Sequence, residues 1–188
     1  MYYSAIKKWD IADGPGVRVT LFVSGCTNRC PGCFQPETWD FHYGRPFTEE
    51  TQEEILQALE PDYIQGLTLL GGEPMEPENQ PVLLELLEQV KSRFPDRDVW
   101  CYTGFTYETD LRPGGCRHGQ STDRFLSLLD VLVDGRFVRE KKNLLLPFRG
   151  SENQRILDMP KSLSEGAAVL MEFQRQGEHA GGNTAGKM

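Results

Sequence analysis

Three cysteines lie within eight residues of this chain, and their spacing is the feature most able to support chemistry. Cys26, Cys30 and Cys33 are separated by gaps of three and two residues, which places three thiols around one point on a single loop. Three ligands are one fewer than a structural zinc site or a four-cysteine iron–sulfur cluster uses. An iron–sulfur cube held in this way keeps one iron free to bind another molecule. The alternatives are a zinc site completed by a distant fourth ligand, or a set of redox-active thiols.

A second motif, Gly71-Gly72-Glu73-Pro74, directly follows the apolar run at residues 67–70. An apolar run that ends in two glycines predicts a buried strand leading into a turn. Glycines allow a backbone to approach a ligand where a side chain would collide. Glu73 adds a carboxylate suited to accept hydrogen bonds from an ammonium group. Taken alone, the two glycines also fit an ordinary turn at the end of a strand.

The two motifs together resemble those of the radical S-adenosylmethionine (SAM) superfamily. The resemblance implies that Cys26, Cys30 and Cys33 hold a [4Fe-4S] cluster whose open iron binds the amino and carboxylate groups of SAM. It also implies that residues 71–74 surround the amino end of SAM and that Phe34 lies beside its adenine. Phe34 packed simply on its own loop is the alternative.

Further segments narrow the resemblance to the activating enzymes of glycyl-radical proteins. Taken alone, Asp-Gly-Pro-Gly at residues 13–16 predicts a turn. Together with the segments at 102–105, 131–137 and 148–154, it resembles the activating enzymes that serve anaerobic ribonucleoside-triphosphate reductases. The resemblance implies reductive cleavage of SAM to 5′-deoxyadenosine and methionine, and a glycyl radical on the large reductase subunit. Asp13 and Arg18 would then lie near the incoming peptide, and reduced flavodoxin would supply the electron. Another radical SAM enzyme acting on a small molecule, such as a deazaguanine-pathway synthase, is the alternative.

Composition limits the class of protein. A chain of 188 residues suits one domain, and no apolar stretch is long enough to span a bilayer. A net charge of −8 argues against a nucleic-acid-binding surface, and five cysteines, three of them in one loop, argue against a disulfide framework. We therefore expect a cytoplasmic protein without membrane or nucleic-acid partners. Because no cysteine lies between Cys33 and Cys101, we expect one cluster only.

The coarse pattern alternates strands with helices. We predict strands at residues 17–24, 67–70, 99–103 and 131–133, and helices beginning after Thr48 and spanning 82–94 and 123–129. This order predicts an α/β fold with a parallel sheet, whose strand ends carry the motifs at one rim. The superfamily resemblance implies an incomplete (βα) barrel with parallel strands and the helices outside. Residues 1–160 would form the radical SAM domain and residues 161–188 a C-terminal extension, its last part disordered.

Overall fold

The computed structural model describes residues 1–172, and these residues form one mixed seven-stranded sheet with helices on one face. The strand order is β3-β1-β2-β4-β5-β6-β7. The strands are β1 Tyr2–Asp10, β2 Val17–Val23, β3 Arg45–Pro46, β4 Ile64–Gly71, β5 Asp98–Tyr102, β6 Val131–Asp134 and β7 Arg155–Asp158. The helices are α1 Glu49–Ala58, α2 Gln80–Arg93, α3 Thr122–Ser127 and α4 Met159–Glu165.

The centre of the sheet confirms the predicted parallel arrangement. Strands β2, β4, β5 and β6 are parallel neighbours, with Val23 opposite Gly71 and Tyr102 opposite Val133. Strands with a common direction end at a common edge, so the chain leaves all four at one rim. The α/β class is therefore confirmed, whereas closure into a partial barrel stays a prediction.

At its edges the sheet contains antiparallel strands, so the expectation of parallel strands alone was wrong. β1 is antiparallel to β2 and to β3, and β7 is antiparallel to β6. Only residues 11–16 join β1 to β2, which is too short for the crossover that a parallel pair requires. β1, β7 and α4 were not predicted. The domain boundary after residue 160 stays a prediction, and α4 runs across it.

The two longer helices form where the sequence predicts them. The Thr48 side chain accepts a hydrogen bond from the Thr51 backbone N–H, and the Thr51 hydroxyl accepts one in return, so a capping box begins α1. In α2, Leu83, Leu86 and Val90 lie on one buried face against the sheet. The helices therefore cover one side of the sheet and form the main core there.

The opposite face of the sheet is also buried, although it carries polar side chains. Arg18, Thr20 and Thr68 have no exposed surface on this face. The turn after β1 covers part of it, since the Thr68 hydroxyl donates to the Asp13 carbonyl oxygen at 2.9 Å. Phe148 and Met171 pack against another part of it, and Leu170 forms a bridge with Leu157 in β7. The predicted disorder at the C-terminus falls on residues outside the described part of the chain.

Candidate active site at the carboxyl rim of the sheet

The rim at the carboxyl ends of the parallel strands brings the predicted motifs together. The cysteine loop follows β2, the Gly-Gly-Glu-Pro turn follows β4, and two further loops follow β5 and β6. Because β2 and β4 are hydrogen-bonded neighbours, the first two loops lie side by side. Four segments that are distant in sequence thus line one edge of the protein.

Backbone hydrogen bonds fix the start of the cysteine loop, next to the first thiol. The Gly25 N–H donates to the Thr38 carbonyl at 2.8 Å, and the Cys26 N–H donates to the Trp39 carbonyl at 3.3 Å. Arg29 has a φ of 44°, in the left-handed region, and reverses the chain between the first two cysteines. The Cys33 N–H donates to the Cys30 carbonyl at 3.1 Å, which closes a tight turn between the last two.

The three thiols share one environment but differ in burial. Cys26 is only 7% exposed, while Cys30 and Cys33 are partly exposed. Burial raises the pKa of Cys26 to about 11, against the effect of backbone N–H groups directed at its sulfur. Burial also raises the pKa of Cys30, against the opposing effects of the Arg136 guanidinium and a backbone N–H. Donors aimed at sulfur suit thiolates, the form in which cysteine binds metal.

The donor set suits an iron–sulfur cube, in which each of three thiolates would bind a different iron. Within residues 1–172, no group of three or more His, Cys, Asp or Glu side chains is arranged to hold a single metal ion. Cys26, Cys30 and Cys33 are free thiols of one short loop, as such a cube requires.

The two glycines after β4 allow backbone to pack against backbone. Gly71 has a φ of +110°, which favours glycine, and the Gly72 N–H donates to the Val23 carbonyl at 2.7 Å. A Cβ atom on Gly72 would lie 2.7 Å from the Gly25 carbonyl oxygen and 2.9 Å from that of Thr38. The two glycines therefore allow the turn after β4 to pack closely against the start of the cysteine loop.

Glu73 connects three of the rim loops through its carboxylate. The side chain is 1% exposed, and burial raises its pKa to about 7. One oxygen accepts from the Asn28 amide at 2.9 Å and from the Gly104 N–H at 2.7 Å, and the other accepts from the Met75 N–H at 2.9 Å. These donors belong to the protein, and the predicted bond from an ammonium group stays a prediction.

Asn28 extends this hydrogen-bond chain to the fourth loop. Its carbonyl oxygen accepts from the Arg136 guanidinium at 3.1 Å, beyond the end of β6. Gly104, Glu73, Asn28 and Arg136 thus join the loops after all four parallel strands. Neither Asn28 nor Arg136 was predicted as a site residue; the position of Asn28 between two cysteines was the available signal.

A second buried carboxylate holds the neighbouring residue of the cysteine loop. Glu76 accepts from the Thr27 N–H at 2.7 Å and from the Thr27 hydroxyl at 2.6 Å. Arg117 donates to the same hydroxyl at 2.8 Å and lies 3.9 Å from Glu76. The loop that contains Arg117 therefore also supports the cysteine loop.

The remaining cysteines and Phe34 occupy different environments. Cys101 is fully buried in β5, and Cys116 is exposed. Phe34 is 81% exposed, so it is not packed on its loop. Its contact with adenine stays a prediction, and an exposed ring beside Cys33 is available for such a contact.

Arg18 and Asp13 lie away from the thiols, on the polar face of the sheet. Arg18 is fully buried near the amino ends of the strands, 2.5 Å from Asp98 and 2.7 Å from the Thr68 hydroxyl. Burial and the nearby Asp10 carboxyl raise the pKa of Asp13 to about 7. The structure brings Asp13 and Arg18 together through Thr68 but does not bring Arg18 to the cysteine rim. Contact of either residue with a partner stays a prediction.

Comparison with known proteins assigns the family. The family described as "4Fe-4S single cluster domain" matches residues 12–157. The anaerobic ribonucleoside-triphosphate reductase-activating protein of Escherichia coli strain K12 is 38% identical over 156 residues, which cover 82% of this chain and 96% of that protein. The protein of the same name from Pasteurella multocida is 42% identical over 156 residues (82% and 95%), and that from Vibrio cholerae 40% over 157 (82% and 96%). The chain belongs to this family of reductase-activating proteins.

The family match covers the whole candidate site. Residues 12–157 include the cysteine loop, both buried carboxylates and the loops that follow β5 and β6. The 4Fe-4S assignment agrees with the three-thiol donor set at the rim. Among the residues that the structure describes, none belongs to a helix long and apolar enough to cross a membrane.

Proposed function

We propose that this chain activates an anaerobic ribonucleoside-triphosphate reductase by generating a glycyl radical on its large subunit. The observation that carries the proposal is the junction of the cysteine loop and the Gly-Gly-Glu-Pro turn through Glu73 and Asn28, in a chain of this family. Its relatives are named for that activation, and this chain covers nearly their full length. The proposal makes the protein a radical SAM enzyme.

In this proposal the chain's residues hold and orient the cofactors. Cys26, Cys30 and Cys33 would each bind one iron of a [4Fe-4S] cluster. When bound, the cluster and SAM supply a 5′-deoxyadenosyl radical through reductive cleavage that also releases methionine. The chain binds and orients both cofactors, because the chemistry itself belongs to them. Buried Glu73 and Glu76 keep the loop between the first two thiols in place before either cofactor binds.

Residues 71–74 would lie at the amino end of SAM and Phe34 at its adenine. Because the Glu73 carboxylate already accepts from Asn28, Gly104 and Met75, backbone carbonyls of this turn would accept from the ammonium group. Asp13 would face the incoming glycine loop, with Arg18 acting behind it through the shared Thr68 contact. We further propose that the sheet is the incomplete barrel of the superfamily, formed by residues 1–160. Reduced flavodoxin would supply the electron, in the cytoplasm.

The test is an anaerobic assay of the reconstituted protein with dithionite and SAM, with and without the large reductase subunit. Chromatography measures 5′-deoxyadenosine, and electron paramagnetic resonance measures the glycyl radical. We expect both products when the subunit is present. Deoxyadenosine without a radical on the subunit would favour the small-molecule alternative. Neither product, from protein with a full iron complement, would refute the proposal.

Alanine variants test the ligand assignment separately. Replacing Cys26, Cys30 or Cys33 should abolish cluster assembly and SAM cleavage, because each thiol would hold a different iron. Cys101→Ala is the matched control, since Cys101 is a buried thiol on β5 outside the loop. Its iron content and SAM cleavage should equal those of the unaltered protein. SAM cleavage that persists in any of the three loop variants would contradict the assignment.

A further inference from the structure

The segment that follows β6 has a charge opposite to that of the chain as a whole. We call residues 136–149 the basic loop. Five basic side chains stand against Glu140 alone, a net charge of +4 in a chain whose net charge is −8. The basic residues are Arg136, Arg139, Lys141, Lys142 and Arg149. Such a local excess is typical of a surface that attracts an acidic molecule.

The basic loop lies directly against the cysteine loop. Arg136 donates to the Asn28 side chain at 3.1 Å, and the Phe137 N–H is directed at the Cys30 thiol. A Cβ atom on Gly32 would lie 3.4 Å from the Arg139 side chain. A molecule docked on the basic loop would therefore be adjacent to the thiols.

The exposed cations at this surface have no carboxylate partners within residues 1–172. Arg29, Arg139, Lys141 and Lys142 are exposed and form no ion pair with the described part of the chain. Several surface cations elsewhere face carboxylates, as where Lys8 lies 2.9 Å from Glu54. Because the charges of these unpaired cations add, they give this surface a positive electrostatic potential that attracts an acidic partner.

Two large apolar side chains are exposed within the basic loop. Leu144 is 84% exposed and Leu145 is 93% exposed at its tip. Lys142 pairs with Ser151 in a short antiparallel bridge that presents this tip. Apolar side chains bordered by unpaired cations are typical of a protein-binding surface.

We propose that the basic loop forms the docking surface for an acidic protein that donates one electron. The donor loses one electron and the cluster gains it, with no proton or group transferred. The adjacency to the thiols would hold such a donor close to the cluster, as electron transfer requires because it weakens steeply with distance. A local net charge of +4 also lets an acidic donor approach a chain that is otherwise acidic. This inference rests on the proposed function.

The test compares K141E/K142E with K8E/R124E, which undergoes the same change of net charge at other surface positions. Lys8 and Arg124 form exposed ion pairs with Glu54 and Glu88, which contribute little to stability. The probe is flavodoxin. Calorimetry measures its affinity in the oxidised state for each reconstituted protein, and anaerobic stopped-flow absorbance measures the rate at which reduced flavodoxin reduces the cluster. Dithionite-driven SAM cleavage is measured in parallel.

At low ionic strength we expect K141E/K142E to bind flavodoxin about tenfold more weakly and to be reduced about tenfold more slowly, since steering contributes 10- to 1,000-fold to association. The difference should disappear at high salt. K8E/R124E should remain within about twofold of the unaltered protein, and dithionite-driven cleavage should be equal in all three.

Equal affinity of K141E/K142E and unaltered protein, or no binding by the unaltered protein, would overturn the inference. So would loss of reductase activation under dithionite with flavodoxin binding intact, which would assign the surface to the reductase. Loss of dithionite-driven cleavage in every protein would instead count against the proposed function.

Discussion

Replacement of Asn28 by alanine tests whether the rim hydrogen bonds position the cysteine loop. The Asn28 amide donates to Glu73 at 2.9 Å and its carbonyl oxygen accepts from Arg136 at 3.1 Å. A buried hydrogen bond to a charged group contributes about 1.5–3 kcal/mol. Glu73 keeps two donors in the variant, from Gly104 and Met75, so its carboxylate is not left unpaired. We therefore expect Asn28→Ala to lower the free energy of unfolding by about 2 kcal/mol, near the lower end of that range, when Glu73 is ionised.

The loss should depend on pH because Glu73 has a raised pKa of about 7. At pH 8 the carboxylate is ionised and the lost bond is a charged one. At pH 6 the carboxyl group is mostly protonated, so the same substitution removes a neutral bond that contributes about 1 kcal/mol. The cost of Asn28→Ala should accordingly be greater at pH 8 than at pH 6.

The assay is urea unfolding of the reduced, metal-free protein at both pH values, so that cluster loss does not add to the transition. Asn143→Ala is the control, because its amide donates to Glu152 at 3.1 Å in an exposed position. That variant should change the free energy of unfolding by less than about 0.5 kcal/mol. A change of the same small size for Asn28→Ala at pH 8, with normal iron content after reconstitution, would refute the positioning argument.

Three further predictions follow from the packing. Gly72→Ala should destabilise the protein by about 1–3 kcal/mol, since its Cβ would lie 2.7 Å from a backbone oxygen, whereas Gly119→Ala, with its nearest atom at 4.0 Å, should be nearly neutral. Because the pKa of Asp13 is raised to about 7, its ionisation makes the protein less stable as the pH rises from 4 to 7. In thermal unfolding, Asp13→Asn should remove this decline of the melting temperature with pH, and an unchanged decline would contradict the prediction. Arg18→Met should cost about 3 kcal/mol in urea unfolding because it removes a fully buried guanidinium from its bonds to Asp98, Thr68 and the Leu67 carbonyl, and a loss below about 1 kcal/mol would contradict that role.

The centre of the fold was predictable because its signals are local. β2, β4, β5 and β6 are apolar runs followed by glycine or polar turn residues, and such runs predict buried strands wherever they occur. The Thr48 cap and the leucines of α2 likewise depend on neighbours within a few residues. The gathering of motifs at one rim then follows from the parallel topology alone.

The edges and the supporting contacts were not predictable because they depend on distant residues. Most of β1 is half-exposed or exposed, with Lys7 and Lys8 within it, so the segment lacks an apolar run. β7 has only four residues, and two of them are charged. The pairing of Arg18 with Asp98 spans two crossovers, so no spacing in the sequence indicates it. Local pattern cannot reveal an interaction whose partner lies eighty residues away.

The positions of Glu73 and Glu76 explain how an irregular loop is held for metal binding. The Glu76 N–H donates to the Glu73 carbonyl at 3.2 Å, a turn that directs both carboxylates to the same side. They accept from Asn28 and Thr27, two consecutive residues between the first two thiols. The loop between these thiols is thus held by the segment that also provides the Gly-Gly turn. One short sequence after β4 therefore both allows close approach to the cysteine loop and fixes that loop's conformation, which reduces the conformational freedom that cluster assembly must restrict.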